Sequence, residues 1–345
     1  AGTFVGRDLI QIISNFLGID TEQQRNLRNR HNMLELMRNI WVEGVLGKSL
    51  HREVMLDLGM EERPGEVQYP WDMILQMPDH ENRVLPSGTK IVKVFDEMNH
   101  SLLILGEPGS GKTTMLLELV RDAIARAEQD PTAPIPVMLN LSSWATKRKR
   151  RLADWLVREI TGKYNVSEQT VRVWVENDDL LLLLDGLDEV KIEYREACVK
   201  AINKFRTKHG QTHVVVCSRT QDYEMLITKL RLGGAVALQP LTIEEIRKYL
   251  GQANVDLGGL NDLLASDHVL QELVKAPLMF NIVILVYRGL SIDSLETQQF
   301  DELEARQRQL FDAYTQQMFR RVARTQTENF SQAKTVHWLA WLAPK

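Results

Sequence analysis

Two short stretches carry residues whose types and spacing can do chemistry. Gly106–Thr114 reads GEPGSGKTT and satisfies G-x-x-x-x-G-K-[ST] at every specified position. Leu180–Val190 reads LLLLLDGLDEV, five leucines running into Asp185, Gly186, Asp188 and Glu189. In the first stretch the glycines allow a tight turn, so that backbone N–H groups and a following helix N-terminus converge on phosphate oxygens. The candidate nucleotide-binding residues are therefore Gly106, Glu107, Pro108, Gly109, Ser110, Gly111, Lys112, Thr113 and Thr114. Lys112 would reach the β- and γ-phosphates, and Thr113 would offer a hydroxyl to Mg²⁺.

The acids of the second stretch need a cation or a reacting water to compensate them at the end of so apolar a run. A strand ending in aspartate downstream of a phosphate-binding loop holds the magnesium of the nucleotide, and Asp185 is that candidate. Gly186 removes a side chain where the backbone passes close to metal and phosphates. Asp188 and Glu189 can swing back to orient or deprotonate an attacking water, with Glu189 preferred as base. The plainer alternative is a surface turn whose acids are there for solvation. A further run, HVVVCSR, ends on Arg219, at the tip of a strand where a cation senses the γ-phosphate. A structural arginine facing a helix is the alternative there. The nearest approach to a guanine-specifying N/T-K-x-D stretch is Asn203–Arg206, which lacks the aspartate and lies in a helical pattern, so the base is read as adenine.

These groups must be held by elements. LLIL leads into the loop and TTMLLELVRDAIARAE leads out with helical periodicity, the strand–loop–helix context the motif needs. Short apolar runs at 102–105, 135–141, 180–184, 213–218 and 235–238 alternate with helical patterns, and their continuous apolarity predicts parallel strands buried on both faces. After QPL the strands stop. Thr242 and Glu245 form a capping box that opens a helix-only region to about Ser291, and a second helical block starts near Phe300. Residues 1–100 read as helical and mixed, with loops around ERPGEVQYPWDM and LPSGTK.

Composition bounds the rest. At 345 residues, 44% hydrophobic and 26% charged, the chain has room for several cores. A formal charge of −4 gives no global basic field for nucleic acid or an anionic membrane. Cys198 and Cys217 are too few for a disulfide framework and have no metal-ligand spacing, which fits a reducing cytoplasm. PLMFNIVILVY, Pro277–Tyr287, is too short to span a bilayer and reads as a buried helix. Lys147–Arg151, KRKRR, reads as a solvated loop, and six tryptophans (41, 144, 155, 174, 338 and 341) read as core. The chain opens on AGTFVGRD and stops inside an apolar, helix-period pattern, so it reads as a fragment, by itself monomeric.

Taken together the motifs resemble the NACHT branch of the STAND nucleotide switches, similar to NOD-like receptors and their bacterial relatives, over roughly residues 30–345. ILGEPGSGKTT, VVVCSRT, LQPLTIEEIRKYL, KAPLMFNIV and above all D-G-x-D-E carry the resemblance. It implies an α/β P-loop NTPase parallel sheet with an extra central strand, AAA+/STAND-like, preceded by a mainly helical leader (1–88, with the nucleotide domain at 89–240) and followed by a helical lid (241–292) and a truncated winged-helix domain (293–345). It implies that Pro277 packs against adenine, that ATP/ADP and Mg²⁺ are the ligands, and that the whole protein oligomerises in its ATP state to trigger an effector, as in antiphage or innate-type defence. FVGRD, Phe4–Asp8, is similar to a segment that lines adenine in related proteins but lies unusually far ahead of Gly106. His337 reads as a core-edge histidine. A turnover ATPase motor and a non-hydrolysing scaffold are the competing functions.

Overall fold

The computed structural model describes residues 22–47, 60–62, 83–86, 88–146, 151–252, 258–288, 303–323 and 334–338. They fall into two compact units, one ending at Gln239 and one starting at Pro240.

The first unit opens with helix α1 (Glu22–Met37), which buries Met33, Leu34 and Met37. From Arg38 the ladder widens into a π-helical stretch to Leu46, closed by the Gly47 N–H donating to the Val42 carbonyl five residues back. Two short strands, β1 (Met60–Glu62) and β2 (Arg83–Val84), also come from this leader. Helix α2 (Ile91–Glu97) then leads to the central strand β3 (Ser101–Leu105).

From there strand and helix alternate. Helix α3 (Lys112–Gln129) follows β3 and puts Leu116, Leu119, Val120 and Ile124 against the sheet. Strand β4 (Ile135–Asn140), helices α4 (Leu152–Tyr164) and α5 (Glu168–Glu176), strand β5 (Leu180–Asp185) and helix α6 (Ile192–Lys208) come next. Strand β6 (His213–Ser218), the short helix α7 (Thr220–Glu224) and strand β7 (Gly234–Leu238) complete the unit. The sheet order is β2-β1-β7-β3-β6-β5-β4, with β7, β3, β6, β5 and β4 all parallel and β1 and β2 antiparallel at one edge. Strand β6 sits between the phosphate-loop strand β3 and the acid strand β5, so this is an α/β P-loop NTPase sheet with an extra central strand.

Helices on both faces explain the unbroken apolar runs: Leu180–Leu184 are at most 2% exposed, and a fully buried leucine contributes about 2 kcal/mol before entropy is counted. Register aligns the strand ends, pairing Leu105 with Ser218 and Asn140 with Asp185. The loops that leave those ends therefore gather at one rim, where ligands of open parallel sheets bind.

The second unit is helical throughout its described residues. Helix α8 (Ile243–Gln252) starts at the anticipated capping box, with the Thr242 N–H donating to Glu245 Oε2 at 2.8 Å and the Glu245 N–H to Thr242 Oγ1 at 3.2 Å. Helices α9 (Gly258–Ser266), α10 (His268–Val274), α11 (Pro277–Tyr287) and α12 (Leu303–Ala323) follow. Pro277 takes the first turn of α11, where its missing N–H costs nothing, and ten residues of that helix are buried. Arg306 of α12 pairs with Asp267 at the start of α10 at 3.1 Å and donates to the Tyr287 hydroxyl at 3.3 Å, joining three helices. Among the described residues no single helix is long and apolar enough to cross a membrane.

Trp144, Trp155 and Trp174 are buried, as expected, but Trp338 is 46% exposed and His337 is exposed too. Their short helical turn buries neither ring, so apolar neighbours in sequence misled the core assignment there. Phe4–Asp8, Lys147–Arg150 and Trp341 lie outside the described residues.

Candidate active site

The phosphate loop leaves β3 as a turn in which the Ser110 N–H donates to the Glu107 carbonyl at 3.1 Å. Gly106 and Ser110 are buried, Glu107 and Pro108 are exposed, and Gly109 lies between. Gly111, at φ +96°, is the N-cap of α3, a left-handed backbone that a side chain would strain. It aims the first turn of the helix, Lys112, Thr113 and Thr114, back over the loop. The Ser110 hydroxyl is buried without a hydrogen-bond partner.

Lys112 Nζ donates to the carbonyls of Gly106 at 2.8 Å and Glu107 at 2.9 Å, so it already lies curled over the loop it would serve. Burial pulls its ammonium below the usual lysine range, and Asp188 and Asp185 oppose that shift.

Thr113 Oγ1 donates to Asp185 Oδ2 at 2.9 Å across 72 residues of sequence. The other Asp185 oxygen accepts from the Gly186 N–H at 2.9 Å. Burial pushes the Asp185 carboxyl above its ordinary value, Thr113 opposes the shift, and the charges of Glu189 and Asp188 add to it. A half-buried carboxylate under such pressure is stabilised by a divalent cation. The donors here, a hydroxyl and a carboxylate, are the hard oxygens Mg²⁺ takes, and that ion keeps several waters and needs few protein ligands. Thr113 and Asp185 would hold it.

The two remaining acids are both engaged. Asp188 Oδ2 lies 2.9 Å from Arg219 Nε, and its Oδ1 accepts from the Arg219 N–H at 3.2 Å. Its side chain is only 9% exposed, and its carbonyl accepts from the buried Arg195, which also pairs with Asp222 at 2.8 Å. Asp188 is thus a fixed brace between β5, α6 and the tip of β6. Glu189 is exposed by comparison, and its Oε2 accepts from Asn140 Nδ2 at 2.7 Å. Gly186, at φ +73°, leaves the space that this carboxylate occupies: a Cβ there would meet Glu189 Cδ at 2.8 Å and Asn140 Nδ2 at 3.2 Å.

All the anticipated residues of the loop, Asp185, Asp188, Glu189 and Arg219 therefore converge at one rim of the sheet, while Pro277 belongs to the second unit. Two further participants carried no motif. Asn140 ends an apolar strand, and the register of β4 with β5 alone brings it to Glu189. Arg195 lies in a charged helical pattern, and the only hint of its role was a charge on the helix face that packs inward.

Residues 100–254 match the family described as NACHT domain, which supports reading this stretch as a NACHT-domain NTPase. Among curated proteins none matches. Two solved structures are similar: PCH-2 from C. elegans, at 15% identity and TM-score 0.27 over 68% of this chain and 64% of that one, and Cdc6p from Pyrobaculum aerophilum, at 14% and 0.26 over 56% and 50%. The chain spans less than two thirds of either, and the strand order rather than these likenesses carries the fold.

Proposed function

We propose that this module is an ATP/ADP-binding switch: a slow, Mg²⁺-dependent ATPase whose bound nucleotide governs self-assembly of the whole protein and activation of an attached effector, in a bacterial defence setting within the cytoplasm. The observation that carries the reading is the state of the acids. Thr113 and Asp185 are already joined beside the loop that Lys112 overlies, yet the candidate base Glu189 is tied to Asn140 and Asp188 is braced by Arg219 and Arg195. A site that binds readily and hydrolyses reluctantly stores a signal.

In this reading the backbone N–H groups of Gly106–Thr114 hold the phosphates and Lys112 leaves its loop carbonyls for phosphate oxygens. Bound magnesium would neutralise developing phosphate charge. Glu189, freed from Asn140, takes a proton from the attacking water, and Arg219 offsets charge at the γ-phosphate. The helices of the second unit act as lid, with Pro277 against adenine, and α12 begins a winged-helix domain. Swinging such a module from 1:99 to 99:1 needs about 5.5 kcal/mol of differential nucleotide affinity, for which the γ-phosphate contacts of Arg219 are one source.

The deciding experiment is to denature the purified protein and identify the nucleotide released and its ratio to chain. Retained ADP with very slow turnover supports the switch. Fast hydrolysis stimulated by a polymer substrate would make it a motor instead. Lys112→Ala should lose nucleotide, whereas Glu189→Ala should keep it and lose hydrolysis.

A further inference from the structure

The net charge of −4 conceals a local concentration of positive charge far from the phosphate loop. Along α6, Lys200, Lys204 and Lys208 recur every fourth residue and so share one face, with about 6 Å between successive positions. They line an open groove of about 620 Å³ together with Thr207, Thr228 and Arg231. The groove is built rather than incidental. Asn203 of α6 donates from Nδ2 to the Lys229 carbonyl at 2.9 Å and accepts the Arg231 N–H at 2.8 Å on Oδ1, so the segment carrying Arg231 is fastened beside the lysine row.

No acid lines the groove, and Lys204, Lys208 and Arg231 form no ion pair among the described residues. Glu196, outside the lining, lies 4.0 Å from Lys200 and accepts the N–H groups of Ile227 at 2.6 Å and Thr228 at 3.1 Å. Helix α6 starts beside the acids of the active site and runs away from them. Lys204 is twelve residues along it from Ile192, roughly 18 Å, so the groove is a separate site.

We propose that this groove binds the sugar–phosphate backbone of double-helical nucleic acid, without sequence preference. Point charges at regular spacing suit a row of phosphates, which Lys, Arg and Thr contact without reading bases. No aromatic side chain lines the groove, so it offers no platform for the unstacked bases of a single strand. It also lacks the aromatic or aliphatic anchors on which a protein partner's affinity rests.

The test is fluorescence anisotropy of a labelled DNA duplex of about 20 base pairs against the full chain, from about 50 to 200 mM salt. Four phosphate contacts predict a slope of about −3.6 in log affinity against log salt, about a 150-fold loss over that range. A second duplex of unrelated sequence should bind within about twofold. The triple variant Lys204→Glu, Lys208→Glu, Arg231→Glu should lose at least about tenfold and flatten the salt slope, while Lys112→Ala binds duplex as before. The three side chains are exposed, so the variant should melt like the parent, and the milder pair Lys204→Gln, Lys208→Gln should fall between the two. No duplex binding at low salt, an unchanged triple variant, or tighter binding of oligothymidylate, polyglutamate or phosphatidylserine vesicles would each overturn the proposal.

Discussion

Gly186 is the position where one added methyl group should separate hydrolysis from binding. At φ +73° its backbone is left-handed, which costs an alanine about 1–2 kcal/mol. The same Cβ would lie 2.8 Å from Glu189 Cδ and 2.9 Å from its Oε2, too close for either atom to remain. The neighbour is the end of a flexible, exposed side chain, so it moves rather than the strand, and the Asn140 hydrogen bond of 2.7 Å is lost with it. A displacement of about 1 Å in a reacting group costs up to about 100-fold in rate. Gly186→Ala should therefore lower the single-turnover rate of ATP hydrolysis about 10- to 100-fold and leave nucleotide affinity within about threefold. Strain of 1–2 kcal/mol in a domain of this size lowers the melting temperature by about 2–8 °C. Adding the change to Glu189→Gln should slow that variant no further, because the displaced group is already disabled. Wild-type hydrolysis in Gly186→Ala, or an equal loss of nucleotide affinity, would refute the placement of Glu189 in the gap that glycine leaves.

Arg195→Ala should destabilise the unit by about 1–3 kcal/mol in urea unfolding, because it leaves the half-buried Asp222 and the Asp188 carbonyl without this partner, and it should slow hydrolysis by loosening Asp188. Thr113→Ala should weaken nucleotide binding in magnesium but barely in EDTA, since the lost hydroxyl faces Asp185 rather than the loop; a calorimetric titration in both buffers reads the difference. Acid should unfold the protein partly through His213. Burial, then His100 and Arg206, lower its pKa to about 4, and Asp96 alone opposes them. The unfolded chain protonates near pH 6.5 and the folded chain does not, so this stability is complete above pH 6.5 and is lost as pH falls toward 4. The ceiling is about 3 kcal/mol, which screening of the partly exposed ring reduces to about 1–2 kcal/mol. Melting temperatures at pH 7.5 and 5 should therefore converge more closely in His213→Gln than in the parent.

The phosphate loop was legible because its chemistry is local. Nine consecutive residues contain the turn glycines, the cation and the hydroxyl, and the strand and helix that aim them lie immediately on either side. The five parallel strands were legible for a related reason: burial on both faces demands continuous apolar runs, and LLLLL or VVV cannot be mistaken for a half-exposed edge. The capping box at Thr242 likewise needs only four residues.

What sequence could not supply were relationships between distant parts of the chain. The antiparallel β1 and β2 at the sheet edge and the meeting of Asn140 with Glu189 both depend on strand order and register. Arg195 reads as one more charge on a helix until its burial against Asp188 and Asp222 gives it a task. The basic groove is invisible in an overall charge of −4, since Arg231 joins the lysines of α6 only through the fold. Motifs and periodicity are properties of neighbouring residues and named the candidates for chemistry here. Pairing across the chain is a property of packing, and only the tertiary structure decided which of those residues are held back, which are braced, and where the unpaired charge collects.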